Sequence, residues 1–277
     1  MTMKKIFPVL LFCLLACPWP VHAVDPNTPT SPPLLKSWGE DAFHMAQMPA
    51  QWGPDQWTKA AWLIAGTTSL FFLDDSVDKN WQDLRSPATD RLADGGHFLG
   101  DPWTLLVVSG GIVASGQLYR DCYLRETGLQ ALESWLFTNV TTLGIKHLTR
   151  RFRPNSGKGS DNWDGPGWHD RPGSGEPDGY SFPSGHTAGS FALASVITER
   201  YPDSIWLKWS AYGLASLVAL SRINDHEHWA SDVFAGAALG WSIGKGVVRL
   251  NQKNSSRITL LPFTQHKIPG LALVWKF

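Results

Sequence analysis

An all-α fold, a bundle of about six core helices followed by a short C-terminal β-hairpin, is what this 277-residue sequence predicts. Three observations predict it. Six apolar stretches, near 58–73, 103–119, 129–148, 186–200, 204–221 and 229–249, have helical length, are rich in Ala, Leu and Gly, and lack strict alternation. Small residues recur inside them (Gly110, Gly111, Ala114 and Gly116; Gly236, Ala237, Ala238, Gly240 and Gly244), a pattern that lets helices approach closely. Alternation is confined to the end of the chain, where Leu271, Leu273, Trp275 and Phe277 share one face of a strand. One such hairpin cannot close a barrel, so it is expected to pack on the bundle.

The composition sets the outer limits. The chain is long enough for one large domain or two small ones with a substantial core. With 43% apolar and 17% charged residues it is more apolar and less charged than a typical soluble domain. The formal charge is zero, and no basic excess points to nucleic acid. Fifteen tryptophans fit either a Trp-rich helical core or contact with a bilayer interface, where indole rings settle.

Residues 1–23 read as an export signal: Lys4 and Lys5, an apolar run from Ile6 to Ala16, and Val21-His22-Ala23 ending in a small residue. Its removal takes two lysines and no acid, leaving a net charge of −2. Leu14-Leu15-Ala16-Cys17 offers a competing lipoprotein box that would leave Cys17 lipidated. After cleavage at Ala23 only Cys122 remains, so no internal disulfide forms. Residues 24–57 follow as a Pro-, Thr- and Ser-rich linker and an N-terminal segment whose Trp38, Phe43, Met45, Met48, Trp52 and Trp57 suit one or two short helices. The main domain spans 58–250, and 251–277 is the hairpin tail. Within the domain, residues 155–181 form a long loop dense in Gly, Pro and Asp. It reads either as a substrate lid carrying Trp163 and Trp168 or as a solvated insertion.

Three short clusters carry the chemistry. The first is Lys146-x6-Arg153-Pro154. Seven residues are about two helical turns, so both cations face one way, and Pro154 closes the helix. Arg grips phosphate oxygens in a fork and Lys as a point charge. Alone, the pattern is an ordinary basic helix end. Arg150 and Arg151 add charge but are not placed in the site. The second is Pro183-Ser184-Gly185-His186, ahead of an apolar helix. The amides of Ser184 and Gly185 would head that helix as an anion site, the Ser184 hydroxyl adding a bond, with His186 as general acid. The bland reading is N-capping by Ser184. The third is Ser221-Arg222-x5-His228-x3-Asp232. His228 and Asp232, one turn apart, share a face, so the carboxylate can fix the imidazole tautomer for attack. A surface ion pair is the plain alternative. His226 is the decoy, since counting five residues from Arg222 selects His228. His226-Glu227-His228 looks metal-like, but zinc helices place their histidines four apart. Neither metal nor cofactor is therefore expected, three cations already serving a phosphate.

Together the clusters resemble the type 2 phosphatidic acid phosphatase (PAP2) superfamily, which includes bacterial class A acid phosphatases and vanadium haloperoxidases. The motifs occupy 146–236, counting Asp232-Val-Phe-Ala-Gly236, and the flanking helices extend the likeness over 58–250. Tyr180-Ser-Phe-Pro-Ser-Gly-His-Thr187 looks more like the lipid-type members. The resemblance implies hydrolysis of a phosphate monoester, lipid or small, with phosphatidic acid and lipid pyrophosphates among the candidates. Lys146, Arg153, Arg222, Ser184 and Gly185 would bind the phosphoryl group. His228 would be the nucleophile, forming phosphohistidine, held by Asp232, and His186 would be the acid. A vanadate-dependent haloperoxidase and a non-catalytic envelope phospholipid-binding protein are the rivals. A family site normally on the outer face, combined with an exported N-terminus and six spans, would leave Lys146 and Arg153 in the cytoplasm. The expectation is therefore an exported, periplasmic or envelope-associated bundle, with an inner-membrane bundle of six short spans as the alternative.

Overall fold

The structure, a computed structural model, describes residues 34–166, 179–254, 259–265 and 268–274, with side chains described between 38 and 252. The export signal, Cys17, the start of the linker and Trp168 lie outside the described residues.

Among the described residues there are nine α-helices: α1 (Leu34–Gln47), α2 (Pro54–Phe71), α3 (Asp74–Asp83), α4 (Pro87–Gly100), α5 (Pro102–Tyr119), α6 (Cys122–Thr149), α7 (Gly185–Arg200), α8 (Ile205–Asn224) and α9 (Ala230–Asn254). Six of them coincide with the six apolar stretches. Their starts follow local rules. Proline, whose missing N–H costs nothing in the first turn, opens α2, α4 and α5. The Asp101 carboxylate caps α5 by accepting from the amides of Trp103 (2.9 Å) and Thr104 (3.3 Å), and Asp121 caps α6 through Leu124 (3.0 Å).

Two helices had no apolar signal. Helix α3 is polar along most of its length (DDSVDKNWQD), and α4 carries Gly95-Gly96 in mid-helix, where glycine is a poor helix former. Both are held by tertiary contacts: α3 against α8 and α9, α4 mainly against α8.

Helix α7 is the axis of the bundle, flanked by α6, α8 and α9. Its packing on α9 is set by a glycine stripe. A Cβ on Gly236, Gly240 or Gly244 would lie 2.5, 1.9 or 2.5 Å from the carbonyl oxygens of Ser184, Ala188 and Ala192. Each set recurs every four residues, so two backbones lie flush with no side chain between them. Alanine has the better helix propensity by about 0.8–1 kcal/mol, so propensity alone would make Gly240→Ala stabilising. Overpacking costs about 1–3 kcal/mol and is expected to win. Chemical denaturation of Gly240→Ala should show a lower midpoint; an unchanged or raised one contradicts this packing.

The indole rings divide unequally. Trp229 is buried, whereas Trp62, Trp103, Trp206 and Trp209 are each more than 70% exposed. Phe72, Leu118 and Tyr119 join them on the surface. No single described helix is long and apolar enough to cross a membrane; the bent pair α4–α5, with 56° between its arms, meets that test by length and composition.

Two strands, β1 (Thr259–Gln265) and β2 (Ile268–Val274), pair antiparallel with Thr259 opposite Val274 and Gln265 opposite Ile268.

Candidate active site

The three clusters meet where the C-terminal ends of α6 and α8 face the N-terminal ends of α7 and α9. Helix α6 ends at Thr149, one turn after Lys146, because Arg150 turns left-handed at φ 46°. The two cations of the first cluster therefore do not share a helix, as the spacing had implied. Lys146 rides the last turn of α6, and Arg153 lies in extended chain beyond it, before the 3-10 turn Pro154–Ser156. The Lys146 ammonium donates to the Tyr180 carbonyl, and its Cε lies 4.0 Å from where a Cβ on Gly185 would be. Arg153 is ion-paired with Glu227. Arg222, buried near the end of α8, is held by Ser221 Oγ at 3.1 Å and the Asp225 carboxylate at 2.5 Å. All three cations thus have fixed partners, two of them acids from the turn 225–227.

The second cluster sits differently from expectation in one respect. The Ser184 amide donates to the Asp232 carbonyl (3.0 Å), and its hydroxyl exchanges a bond with Thr187 Oγ1 (3.0 Å). Ser184 is wholly buried and is thereby used to join α7 to α9, so its backbone is not an anion donor. Nor does it cap α7 through its side chain. Gly185 begins the helix, where first-turn amides have no intrahelical partner.

His228 and Asp232 do face each other, but not as two residues of one helix. His228 precedes α9, and Asp232 is in its first turn, accepting the Trp229 amide at 3.0 Å. Nδ1 of His228 stands 3.9 Å from Asp232 Oδ2, an ion-pair rather than a hydrogen-bond separation. Ser181 bridges the gap: its hydroxyl donates to Asp232 Oδ2 and lies 3.5 Å from His228 Nδ1. With Nδ1 turned to this pair, Nε2 is the nitrogen available for attack. His226 points elsewhere, with φ 60° and Nε2 2.9 Å from Asp78 Oδ2 on α3. The two flanking histidines therefore diverge.

The electrostatics tie the pieces together. Burial, aided by Lys146 and Arg153 and opposed by Asp232, pushes the His228 pKa down to about 3. Burial together with the charges of Arg222, His97 and Lys146 pushes His186 down to about 4. Lys146 thus bears on both imidazoles. Burial would raise the Asp232 carboxyl, but bonds and charges from His228, Arg151 and Ser181 outweigh it and hold its pKa below the ordinary value.

Arg151, left out of the site by the sequence reading, turns out to anchor it. Its guanidinium is completely buried. It donates to Asp232 Oδ1 (2.6 Å), Ser231 Oγ (2.7 Å), Asp74 Oδ2 (2.8 Å) and, twice, the Ser160 carbonyl (3.0 and 2.8 Å). The rings of Phe71, Trp163 and Trp229 lie 4.8, 5.1 and 5.5 Å from it. Asp74, at the head of α3, is buried too and accepts the Ser231 amide at 2.9 Å. Burial raises its pKa against the opposing bonds from Ser231 and Arg151. Ser160 in turn is bonded to Asp75, at 3.2 Å through its amide and 2.9 Å through its hydroxyl. The described part of the 155–181 loop is therefore a bracket around Arg151, in which Trp163 lies against Phe71 and Phe182 while 38% exposed. No spacing rule marks Arg151, Asp74, Ser160 or Ser181; the one local hint was an arginine two positions from Arg153.

Residues 127–256, which contain every motif, match the PAP2 superfamily. The match covers just under half of the chain. Two curated relatives share part of the sequence. A lipid A 1-phosphatase of Porphyromonas gingivalis is 45% identical over 73 residues, 25% of this chain and 16% of that protein. Lipid phosphate phosphatase 1 of Arabidopsis thaliana is 32% identical over 145 residues, 44% of each. The chain thus aligns with less than half the length of either. The crystal structure of a transmembrane PAP2-type phosphatidylglycerolphosphate phosphatase from Bacillus subtilis superposes with TM-score 0.50 at 21% identity, over 70% of this chain and 96% of the other. That likeness is one of fold. Helices α1–α5 precede the matched PAP2 segment, yet α3 contributes Asp74 to the support of Asp232 and α4 reaches His186.

Proposed function

We propose that this protein hydrolyses phosphate monoesters of lipids by way of a phosphohistidine at His228. The observation that carries the reading is the buried Asp232–Ser181–His228 arrangement, with Arg153 bearing on His228, Arg222 on His186 and Lys146 on both imidazoles. In the first step His228 Nε2 bonds to phosphorus as the phosphorus–leaving-oxygen bond breaks, and His186 gives its proton to that oxygen. In the second, water attacks phosphorus, His186 takes the water's proton, and the nitrogen–phosphorus bond breaks to release inorganic phosphate. The three cations and the Gly185 amide offset the charge on the equatorial oxygens. That is the task a metal would otherwise perform, so a chelator is expected to leave the rate unchanged. Lipid substrates are supported by the two curated relatives and by the exposed indoles, which suit a membrane surface in the cell envelope. The test is phosphate release from phosphatidic acid, a lipid pyrophosphate and a soluble monoester, with and without chelator. Absence of release from all three overturns the proposal.

A pH signature follows. Attack requires neutral His228, present above about pH 3, and protonation of the leaving group requires charged His186, lost above about pH 4 in the unliganded protein. Bound phosphoryl oxygens favour the imidazolium and raise the His186 pKa. The alkaline limb of kcat, which reports the complex, should therefore lie at higher pH than that of kcat/KM, which reports the free enzyme. Coincident limbs would remove His186 from the role of acid.

A further inference from the structure

His97, on α4 and ahead of the matched segment, has no part in the motifs, yet α4 delivers it to the site. The delivery is steric. A Cβ on Gly96 would lie 2.7 Å from Ser221 Cβ, and one on Gly100 would lie 2.3 Å from Val218 Cγ1 and 3.4 Å from His186 Cβ. Glycine at these positions, one turn apart, lays α4 flush against α8 and beside the start of α7. The His97 ring then meets the His186 ring edge-on, centroids 5.4 Å apart. Its Nδ1 is 3.7 Å from Asp225 Oδ2, the oxygen that also receives Arg222 at 2.5 Å. The His97 side chain is 56% exposed, whereas that of His228 is 4% exposed.

These facts place His97 on the acid side of the site and toward solvent. In an in-line displacement the leaving oxygen departs opposite the nucleophile, so it departs toward His186. Whatever is attached to that oxygen must pass over the groups that flank His186 outward. We propose that His97 contacts the leaving group and selects leaving alcohols that carry a further hydroxyl, as glycerol- or sugar-type groups do, over those that carry none. This rests on the phosphatase reading. The chemistry is that of a half-exposed imidazole set between Asp225 and His186, whose ring nitrogen can bond a hydroxyl.

The test uses the full-length protein and two soluble alkyl monoesters whose leaving alcohols both depend on protonation and differ in the extra hydroxyls, glycerol 3-phosphate and propyl phosphate. His97→Phe keeps a ring against His186 and removes both nitrogens. The ratio of kcat/KM for glycerol 3-phosphate to that for propyl phosphate is expected to fall about tenfold, the size of one lost hydrogen bond. His97→Gln, which retains a hydrogen-bonding group, should recover part of it, and inhibition by inorganic phosphate should change little. Equal losses on both substrates would mean that His97 only supports His186, and an unchanged ratio would mean that it does not touch the leaving group; either result overturns the inference while the phosphatase reading stands. If the unmodified protein releases phosphate from no substrate, both fall together.

Discussion

Replacing His228 with alanine is expected to lower phosphate release by roughly four orders of magnitude or more, the scale seen when a nucleophile is removed from residues that act as a unit. The protein should remain folded. Asp232 keeps its bonds from Arg151, Ser181 and the Trp229 amide when the imidazole is gone. The informative partner is His226, two positions away and turned to Asp78 on α3. Because its φ is 60°, asparagine, which tolerates the left-handed region, is the fairer replacement there. His226→Asn should keep most of the activity. Phosphate release measured beside thermal melts separates loss of chemistry from loss of fold, and trapping of an acid-labile phosphoenzyme should succeed in His226→Asn and fail in His228→Ala. Equal loss in both variants would mean that the turn, not the nucleophile, had been removed.

The second large effect is expected at Arg151. Arg151→Leu leaves two buried carboxylates, Asp74 and Asp232, without their shared cation, and leaves the Ser160 carbonyl without its donor. Breaking a buried pair by removing one member costs about 3–5 kcal/mol. For a domain of this size that is a fall in Tm of roughly 10 °C. Activity should fall with it even below the melting range, since Asp232 loses the bond that fixes Oδ1. Arg151→Lys should rescue little: a single ammonium cannot reproduce a fork that reaches Asp74 through one nitrogen and Asp232 through the other. A melt unchanged in Arg151→Leu would show that the network does not hold the site.

These two residues illustrate what was readable and what was not. His228 was legible because its spacing from Arg222 and Asp232 lies within one stretch of chain. The expected pairing on one helical face is not what holds them: His228 lies before α9, and Ser181, from a loop 47 residues away, bridges it to the carboxylate. Arg153 was read as a helical neighbour of Lys146 and proved to lie in extended chain. Ser184 was read as an anion donor and proved to join two helices. Arg151 was passed over because its partners come from 77 and 81 residues away. Helices α3 and α4 were passed over because the six stretches were found by their apolar content, and both of these helices are poorer in it than any of the six.

The amino-acid order alone therefore determined the six apolar helices and the three clusters from which the candidate site is built. Helix formation and the punctuation by proline, glycine and capping residues act over a few neighbours and leave their mark in local pattern. Only the tertiary structure decided which carboxylates and hydroxyls support those side chains, and that α3 and α4 complete the site. Such support is made of hydrogen bonds and close helix contacts across long sequence separations, and no local pattern records them.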